Sequence, residues 1–179
     1  MATTYLSRTP SSAGNQRLMT FSFWLKRGSL SPTAYGLFNR YISSGNYFAI
    51  LLNDSDALEV RNYSGGGSEL RRSTLAVFRD TSAWYHFVVT IDTAQAVTDD
   101  RVKIYVNGVQ QTLTGTNPAL NLDVDWNDAG ANQIGTGVTS TYFNGSMSHV
   151  HFIDGTAYDA LAFGEYDANG VWKIKLLQV

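Results

Sequence analysis

Oxygen-bearing side chains recur at close spacing in the run Asp123-Val124-Asp125-Trp126-Asn127-Asp128. Carboxylate and amide oxygens at alternate positions are what the first half of a calcium-binding loop supplies. The run departs from an EF-hand loop because its sixth position is Asp128 rather than glycine, and its twelfth is Ile134 rather than a bidentate glutamate. The alternative is a strand that turns its apolar residues inward and its carboxylates to solvent. The candidate calcium ligands are Asp123, Asp125, Asn127 and Asp128, and no other cofactor is expected.

Aromatic and amide side chains indicate a second kind of chemistry, the binding of carbohydrate. Aromatic faces can stack on the C–H groups of a sugar, and amides can fix its hydroxyls, when loops on a rigid sheet hold them in place. The candidate carbohydrate-binding residues are Tyr63, Trp126, Asn127, Tyr142 and Asn144. For each of them the alternative is ordinary packing.

The elements that would position these residues are short strands. Apolar side chains alternate along residues 84–91 and again along 102–106, and this period of two puts them on one face of a sheet. Asn107-Gly108 then predicts a tight turn with positive φ. Because a single hairpin is not stable alone, the pair requires a larger sheet and a second layer packed against it.

Further alternating or apolar runs are separated by polar turn residues throughout the chain. Strands are predicted at 18–26, 36–40, 47–52, 57–63, 69–77, 110–113, 122–127, 143–153 and 171–177. The only helical signal is one short turn at 159–163, where Asp159 can cap the first residues. The pattern predicts an all-β, antiparallel sandwich of two sheets with roughly six strands each.

Bulk composition restricts the protein's class. Its 179 residues fit one domain, so residues 1–179 are predicted to form a single unit. The net charge of -2 gives no basic surface for nucleic acid, and the absence of cysteine excludes disulfides and thiolate metal sites. No apolar run is long enough for a signal peptide or a membrane span. We expect a soluble protein without an export signal or membrane insertion.

Several segments together resemble the laminin-G-like branch of the concanavalin A-like lectin/glucanase jelly rolls, over nearly the whole chain. They are TFSFWLKR (20–27), WYHFVVTID (84–92), VKIYVNGV (102–109), IG (134–135) and FNGSMSHVHFIDGTAYD (143–159). The resemblance implies a jelly-roll sandwich, with His86 in a structural Trp-x-His pattern. Laminin-G-like domains often bind calcium at the rim of a sheet, which adds to the calcium hypothesis.

The glucanases of this superfamily carry Glu-x-Asp-x-x-Glu on one strand, which supplies the two carboxylates of glycoside hydrolysis. Here Glu59, Glu69 and Glu165 lie in separate segments, and none begins the complete motif: only Glu165 has an aspartate two residues later, and Gly170 stands where the second glutamate would be. We therefore expect a protein that binds rather than catalyses. A glycoside hydrolase with an unfamiliar carboxylate pair is the weakest of the alternatives.

Two further segments, RTPSSAGN (8–15) and AFGEYDANGVWKIK (162–175), resemble laminin-G-like domains in virion structural proteins of tailed phages. This resemblance implies a protein of the virion surface, either a capsid decoration or a fibre-associated module, made in the host cytoplasm without a signal peptide. Its partners would be a cell-surface or environmental glycan, other virion proteins, or further copies of itself. A free-standing carbohydrate-binding lectin module is the alternative.

Overall fold

A computed structural model describes residues 4–30, 34–138 and 141–175 of the chain. Short 3₁₀ turns lie at Thr98–Asp100 and Ala160–Ala162, and no described helix is long and apolar enough to cross a membrane. The described strands are β1 (Leu6–Arg8), β2 (Leu18–Arg27), β3 (Tyr35–Ser43), β4 (Asn46–Leu52), β5 (Leu58–Ser64), β6 (Gly67–Thr74), β7 (Tyr85–Asp92), β8 (Val102–Val106), β9 (Val109–Gln110), β10 (Leu113–Thr116), β11 (Asn132–Ile134), β12 (Gly145–Asp154), β13 (Gly164–Tyr166) and β14 (Trp172–Ile174).

The strands form two large antiparallel sheets, which confirms the predicted sandwich. One sheet has seven strands in the order β1-β11-β3-β4-β5-β6-β10, and the other has five in the order β12-β2-β7-β8-β9. The hairpin β13–β14 forms a small third sheet. The predicted pairing of β7 with β8 is present, and Asn107 and Gly108 follow β8 with φ values of 48° and 84°.

The core lies between the inner faces of the two large sheets. Side chains predicted to face inward are fully or almost fully buried, apart from the half-buried Tyr85: Phe21, Phe23, Phe87, Val89, Ile91, Val102, Ile104 and Val106. Rings from the two sheets interlock there, with Phe21 and Phe38 in an edge-to-face contact at 5.1 Å. Each large apolar side chain buried in this way contributes on the order of 1.5–3 kcal/mol.

The strand predicted at 122–127 is wrong, because the structure places an irregular loop there. Asn121 and Asn127 have positive φ values of 60° and 65°, so the backbone cannot continue as an extended strand. The alternation that suggested a strand still reports which side chains are buried, since Val124 and Trp126 both point into the core.

The strand predicted at 110–113 is also wrong as a single element. Residues of β9 pair with β8 in the five-stranded sheet, whereas β10 pairs with β6 in the seven-stranded sheet. The chain therefore crosses between layers at residues 111 and 112. Similarly, β6 ends at Thr74 rather than at Val77.

The predicted turn near residue 160 is confirmed, and the Asp159 carboxylate accepts a hydrogen bond from the Leu161 amide at 2.9 Å. The turn at Thr98–Asp100 was not predicted. The strand predicted at 171–177 is present as β14, and residues 176 and 177 lie outside the described part of the chain. The segment from 160 onward packs Ala160, Phe163 and Trp172 on Val88 of the five-stranded sheet.

Candidate functional site

The outer face of the seven-stranded sheet carries a row of tyrosines. Tyr41 of β3 lies opposite Tyr47 of β4, which in turn lies opposite Tyr63 of β5. The Tyr47 and Tyr63 rings stack with centroids 4.9 Å apart and planes 9° apart. Tyr41 is 43% exposed, whereas Tyr47 is buried beside Ala49 and Leu51. The row extends the apolar surface formed by Ala49 and Leu51 on this face of the sheet.

A small cleft of about 230 Å³ opens on this face, where β3 and β11 meet the loop that follows β11. We call it the tyrosine cleft, and its lining residues are Tyr5, Asn39, Tyr41, Gln133, Thr136, Gly137 and Tyr142. Tyr5 and Tyr142 face each other with ring centroids 6.2 Å apart and planes inclined by 35°. Three tyrosines and two amides therefore converge on one shallow space.

The polar group that distinguishes the tyrosine cleft is the side chain of Asn39. Asn39 is only 2% exposed, and its Nδ2 donates to Oε1 of Gln133 at 3.4 Å. Its Oδ1 has no hydrogen-bond partner within the described residues. A buried acceptor without a donor costs roughly 1–3 kcal/mol, so a hydroxyl group bound in the cleft would remove that penalty.

Next to the tyrosine row lies a network of charges around Glu59. Arg61 and Arg71 stand directly opposite each other on β5 and β6, a like-charge pair that would be unfavourable alone. The Glu59 carboxylate, 1% exposed, neutralises it by accepting from the Nε of both arginines, that of Arg71 at 3.0 Å. Burial alone would raise the pKa of Glu59, but hydrogen bonds from Arg61 and Ser73 and the Arg61 charge outweigh it, so the pKa is lowered. The carboxylate therefore stays ionised.

The five carbohydrate candidates from the sequence lie in different places. Tyr142 lines the tyrosine cleft and Tyr63 belongs to the tyrosine row. Trp126 is 4% exposed and packs among core phenylalanines, as the alternative interpretation predicted. Asn127 is buried and its Nδ2 donates to the backbone oxygen of Asn15. Asn144 is exposed near the end of β2, where its Nδ2 donates to Oγ of Ser29.

Most of the tyrosine cleft was missed at the sequence level. Tyr5, Asn39, Gln133 and Thr136 were not candidates. One signal was present, since Asn39 sits on the outward parity of β3 between Phe38 and Arg40. Its partner Gln133 is 94 residues away along the chain, and only the pairing of β3 with β11 brings the two together.

Three of the four calcium candidates, Asp123, Asn127 and Asp128, are engaged separately with other residues, whereas Oδ2 of Asp125 is buried without a hydrogen-bond partner among the described residues. Nε and Nη2 of Arg17 donate to the two carboxylate oxygens of Asp123 at 2.6 and 3.0 Å, and these hydrogen bonds lower the pKa of Asp123. Arg40 pairs with Asp128 at 3.0 Å. Burial, with a smaller contribution from Glu69, raises the pKa of Asp125. Across residues 4–30, 34–138 and 141–175, no three acidic or histidine side chains are arranged to hold a metal ion.

The histidine of the Trp-x-His pattern is buried on the opposite side of the molecule, as its predicted structural role requires. His86 contacts Oγ of Ser22 through Nε2 at 2.9 Å and accepts the indole N–H of Trp172 at Nδ1, 3.0 Å away. Because an indole can only donate, Nδ1 is unprotonated and Nε2 carries the hydrogen. Burial, followed by the charges of His151 and His149, lowers the pKa of His86 to about 4.

Comparisons with known proteins agree with this architecture. The model of the concanavalin A-like lectin/glucanases superfamily matches residues 2–159. Among curated proteins, none matches the chain.

Solved structures with a similar fold include proteins with bound sugars. Domain 4 of AbnA, a GH43 extracellular arabinanase from Geobacillus stearothermophilus in complex with arabinotriose, is 17% identical with a TM-score of 0.55, over 82% of this chain and 64% of that one. The CBM40 of the Ruminococcus gnavus IT-sialidase, bound to α2,3-sialyllactose, is 9% identical with a TM-score of 0.54, over 86% and 92%. Domains LG4-5 of the mouse laminin α1 chain are 10% identical with a TM-score of 0.56, over 87% and 41%.

Proposed function

Because the chain belongs to the concanavalin A-like lectin/glucanase superfamily, we propose that it is a non-catalytic, lectin-like module that binds a glycan in the tyrosine cleft. The observation that carries the proposal is the unpaired, buried Oδ1 of Asn39 in a cleft lined by three tyrosines. Solved structures of the same fold contain arabinotriose and α2,3-sialyllactose, which supports a glycan as the class of ligand.

Each part of the cleft has a distinct role in this proposal. The rings of Tyr5, Tyr41 and Tyr142 offer apolar faces for the C–H groups of one sugar ring, while their hydroxyls can exchange hydrogen bonds with it. Asn39 Oδ1 accepts from a sugar hydroxyl. Glu59 and the two arginines hold β5 and β6 beside the tyrosine row, and so fix its position.

The absence of catalysis is part of the same proposal. Glycoside hydrolysis requires two carboxyl groups on either side of the bond, one of them with a raised pKa. None of the residues described as lining the tyrosine cleft carries a carboxylate. The nearby Glu59 has a lowered pKa and is held by two arginines, which is unsuitable for donating a proton.

Calorimetric titration of the protein with arabinotriose and α2,3-sialyllactose, extended to a wider glycan panel, tests the proposal. We expect saturable binding to at least one glycan, without hydrolysis products. Replacement of a stacking ring or of the buried acceptor, by Tyr142→Ala or Asn39→Ala, should weaken it about 3- to 10-fold, as expected for losing roughly 0.5–1.5 kcal/mol.

The control is Tyr166→Ala, which removes a tyrosine that lies outside the cleft, on the hairpin of the opposite side, and is 50% exposed. This variant should bind like the unmodified protein. Equal losses in Tyr166→Ala and Tyr142→Ala would contradict the assignment of the cleft. Failure of every glycan, with a symmetric oligomer in sedimentation, would favour a purely structural protein that docks on other subunits.

We propose that glycan binding does not depend on calcium. Asp123 and Asp128 are already paired with Arg17 and Arg40, so a cation would have to displace a guanidinium at each. Millimolar calcium should shift the melting temperature by less than about 1 °C relative to chelator, because a ligand that does not bind the folded state cannot stabilise it. A calcium-dependent rise that disappears in Asp125→Asn would overturn this.

We infer that the protein acts on the surface of a tailed-phage particle. The support is the resemblance of residues 8–15 and 162–175 to virion proteins, and the second segment builds a hairpin beyond the stretch that the superfamily model matches. Quantitative mass spectrometry of purified particles should detect the chain at a fixed copy number that survives washing in high salt. Recovery only from the unassembled fraction of the lysate would contradict a virion location and favour a free-standing lectin.

A further inference from the structure

A second and larger cleft lies at the edge of the sandwich, where β1 borders one sheet and β12 borders the other. Its volume is about 750 Å³, within the range of small-molecule sites. We call it the edge cleft, and its lining residues are Leu6, Ser7, Arg8, Pro10, Ser11, Ser12, Ala13, Gly14, Trp126, Asn127, Asn132, Ile134, Phe152 and Asp154. It shares no residue with the tyrosine cleft.

Topology explains why the sandwich is open here. β1 and β12 are terminal strands of their sheets, so neither has a neighbour that continues across the gap. The segment from Pro10 to Gly14 lines the cleft, and the backbone N–H of Gly14 donates to the Asn127 oxygen at 2.9 Å. The inner wall is formed by Trp126, Ile134 and Phe152, with ring centroids of Trp126 and Phe152 5.7 Å apart.

The buried polar side chains that line the edge cleft are hydrogen-bonded within the protein, with one exception. Asn127 Nδ2 donates to the Asn15 oxygen, and Asn132 Nδ2 donates to the backbone oxygens of Asp128 and Gly130. Trp126 is 4% exposed, and its Nε1–H has no acceptor among the described residues. Of the side chains that line the edge cleft, this is the one with a buried nitrogen or oxygen left unpaired.

An unpaired buried donor is unfavourable by roughly 1–3 kcal/mol, and it selects what can fill the space beside it. The occupant must present an acceptor at the inner wall and an apolar body to Trp126, Phe152 and Ile134. An ionised group would lose its hydration against these side chains, so the inner acceptor must be neutral. The charges of the lining, Arg8 and Asp154, are opposite in sign and both exposed, so they select no net charge.

We infer that the edge cleft binds a neutral, largely apolar small molecule whose carbonyl or hydroxyl oxygen accepts a hydrogen bond from Nε1 of Trp126. This second site does not depend on glycan binding in the tyrosine cleft. Its ligand belongs to a different chemical class, and each site can fail its test without the other.

Two-dimensional ¹H–¹⁵N NMR of the whole chain tests the inference with acetophenone, which has a carbonyl acceptor, and ethylbenzene, which has the same apolar ring without one. The sequence contains four tryptophans, so the indole of Trp126 is one of four resonances and is assigned with Trp126→Phe. We expect acetophenone to move this resonance downfield in a saturable way and to bind about five-fold more tightly than ethylbenzene, the equivalent of one net hydrogen bond. Trp126→Phe should abolish the preference between the two probes.

A second variant keeps the test decisive if Trp126→Phe does not fold. Ala13 is exposed and lines the cleft, so Ala13→Trp should fill the opening without disturbing the core and should weaken acetophenone binding at least ten-fold. An indole resonance of Trp126 that stays unmoved at the solubility limit of acetophenone would overturn the inference. Equal binding of the two probes, or full binding by Ala13→Trp, would overturn it as well.

Discussion

The outer faces of the two large sheets differ in how far the rest of the chain covers them. On the five-stranded sheet, Val88 and its neighbours are covered by the segment that follows β12, through Ala160, Phe163 and Trp172. On the seven-stranded sheet, Ala34 and Val138 cover Ala49 and Leu51, and the rest of the face carries the tyrosine cleft and the charge network around Glu59. One face is covered by a segment of the chain that folds back on it, whereas the other, the open face, retains a cleft among its described residues.

The two faces also handle buried polar groups differently. Under the covering segment the buried titratable group is His86, held neutral between Ser22 and Trp172. On the open face it is Glu59, held ionised by Arg61 and Arg71. A neutral group suits burial under the apolar segment from residue 160 onward, which we call the lid. An ionised group with several hydrogen-bond donors suits a face that is partly in contact with water. This contrast predicts how each face responds to mutation and to pH.

The largest effect should come from Trp172→Ala on the covered face. The Trp172 ring packs so closely on Gly108 and Gly164 that an added Cβ at either glycine would lie within 2.5 Å of it. Truncation should lower the free energy of unfolding by about 3–5 kcal/mol, because it empties the contact and leaves His86 Nδ1 without its donor. Chemical denaturation measures the loss.

Val171→Ala is the control for this prediction, because Val171 is adjacent and exposed. It should change stability by no more than about 0.5 kcal/mol. Binding of a hydrophobic dye should rise in Trp172→Ala and stay unchanged in Val171→Ala. A Trp172→Ala protein of normal stability would show that the segment from 160 onward is not a lid.

The next effect is the dependence of the covered face on pH. The pKa of His86 falls from its usual 6.5 to about 4 in the folded protein, so the unfolded chain binds the proton more readily. Its contribution to stability is therefore complete above pH 6.5 and is lost as the pH falls towards 4, by a total of about 3 kcal/mol. His151, whose pKa burial also lowers, acts in the same direction.

The difference between the protein and His86→Gln isolates this contribution, because glutamine keeps an acceptor and a donor but does not titrate there. Denaturation between pH 7 and 4 should show a shallower loss in the variant. The contribution of Glu59 begins to be lost as the pH falls through its usual pKa of 4.5, but this loss is common to the protein and the variant, so it cancels in the difference. Parallel pH profiles would mean that His86 is not the group that couples the lid to protons.

A smaller effect should follow from Glu59→Ala on the open face. Removing the carboxylate leaves Arg61 facing Arg71 and deprives Ser73 of its acceptor at 2.6 Å. Arg71 is half exposed and can regain water, so we expect a loss of about 2 kcal/mol rather than the larger value of a fully buried pair. In Glu165→Ala, where the Lys173 ion pair is exposed, the change should stay within about 0.5 kcal/mol. Equal losses in the two variants would remove the distinction between these carboxylates.

The two faces were not equally predictable from the sequence. The layers themselves were predicted, because a period of two along residues 18–26 and 84–91 reports directly on which side chains are buried. The loop at 122–127 shows the limit of that signal. Its sequence alternates like that of a strand because Val124 and Trp126 are buried in the core, although the backbone that carries them is irregular.

The tyrosine cleft could not be predicted from the sequence, because β3, β11 and Tyr5 meet there only after folding. Local patterns do not specify which distant strands pair. One part of the lid was predicted from the sequence, namely the turn that Asp159 caps. Its target on Val88 was not predicted, because a two-residue period does not say which layer covers the outer face of a strand.

The smallest effect concerns the point where the lid begins. The Asp159 carboxylate caps the 3₁₀ turn at Ala160–Ala162 by accepting from the Leu161 amide at 2.9 Å. Asp159→Ala should destabilise the protein by about 0.5–1 kcal/mol, the usual contribution of such a cap. Asp159→Asn keeps an acceptor and should be nearly neutral, so the pair of variants separates the cap from any effect of charge. Hydrogen exchange of the Leu161 amide should increase in Asp159→Ala while the amides of β4 and β5 on the open face stay protected. If those amides lost protection too, the lid and the open face would be one cooperative unit, and the contrast between the two faces would concern their chemistry alone.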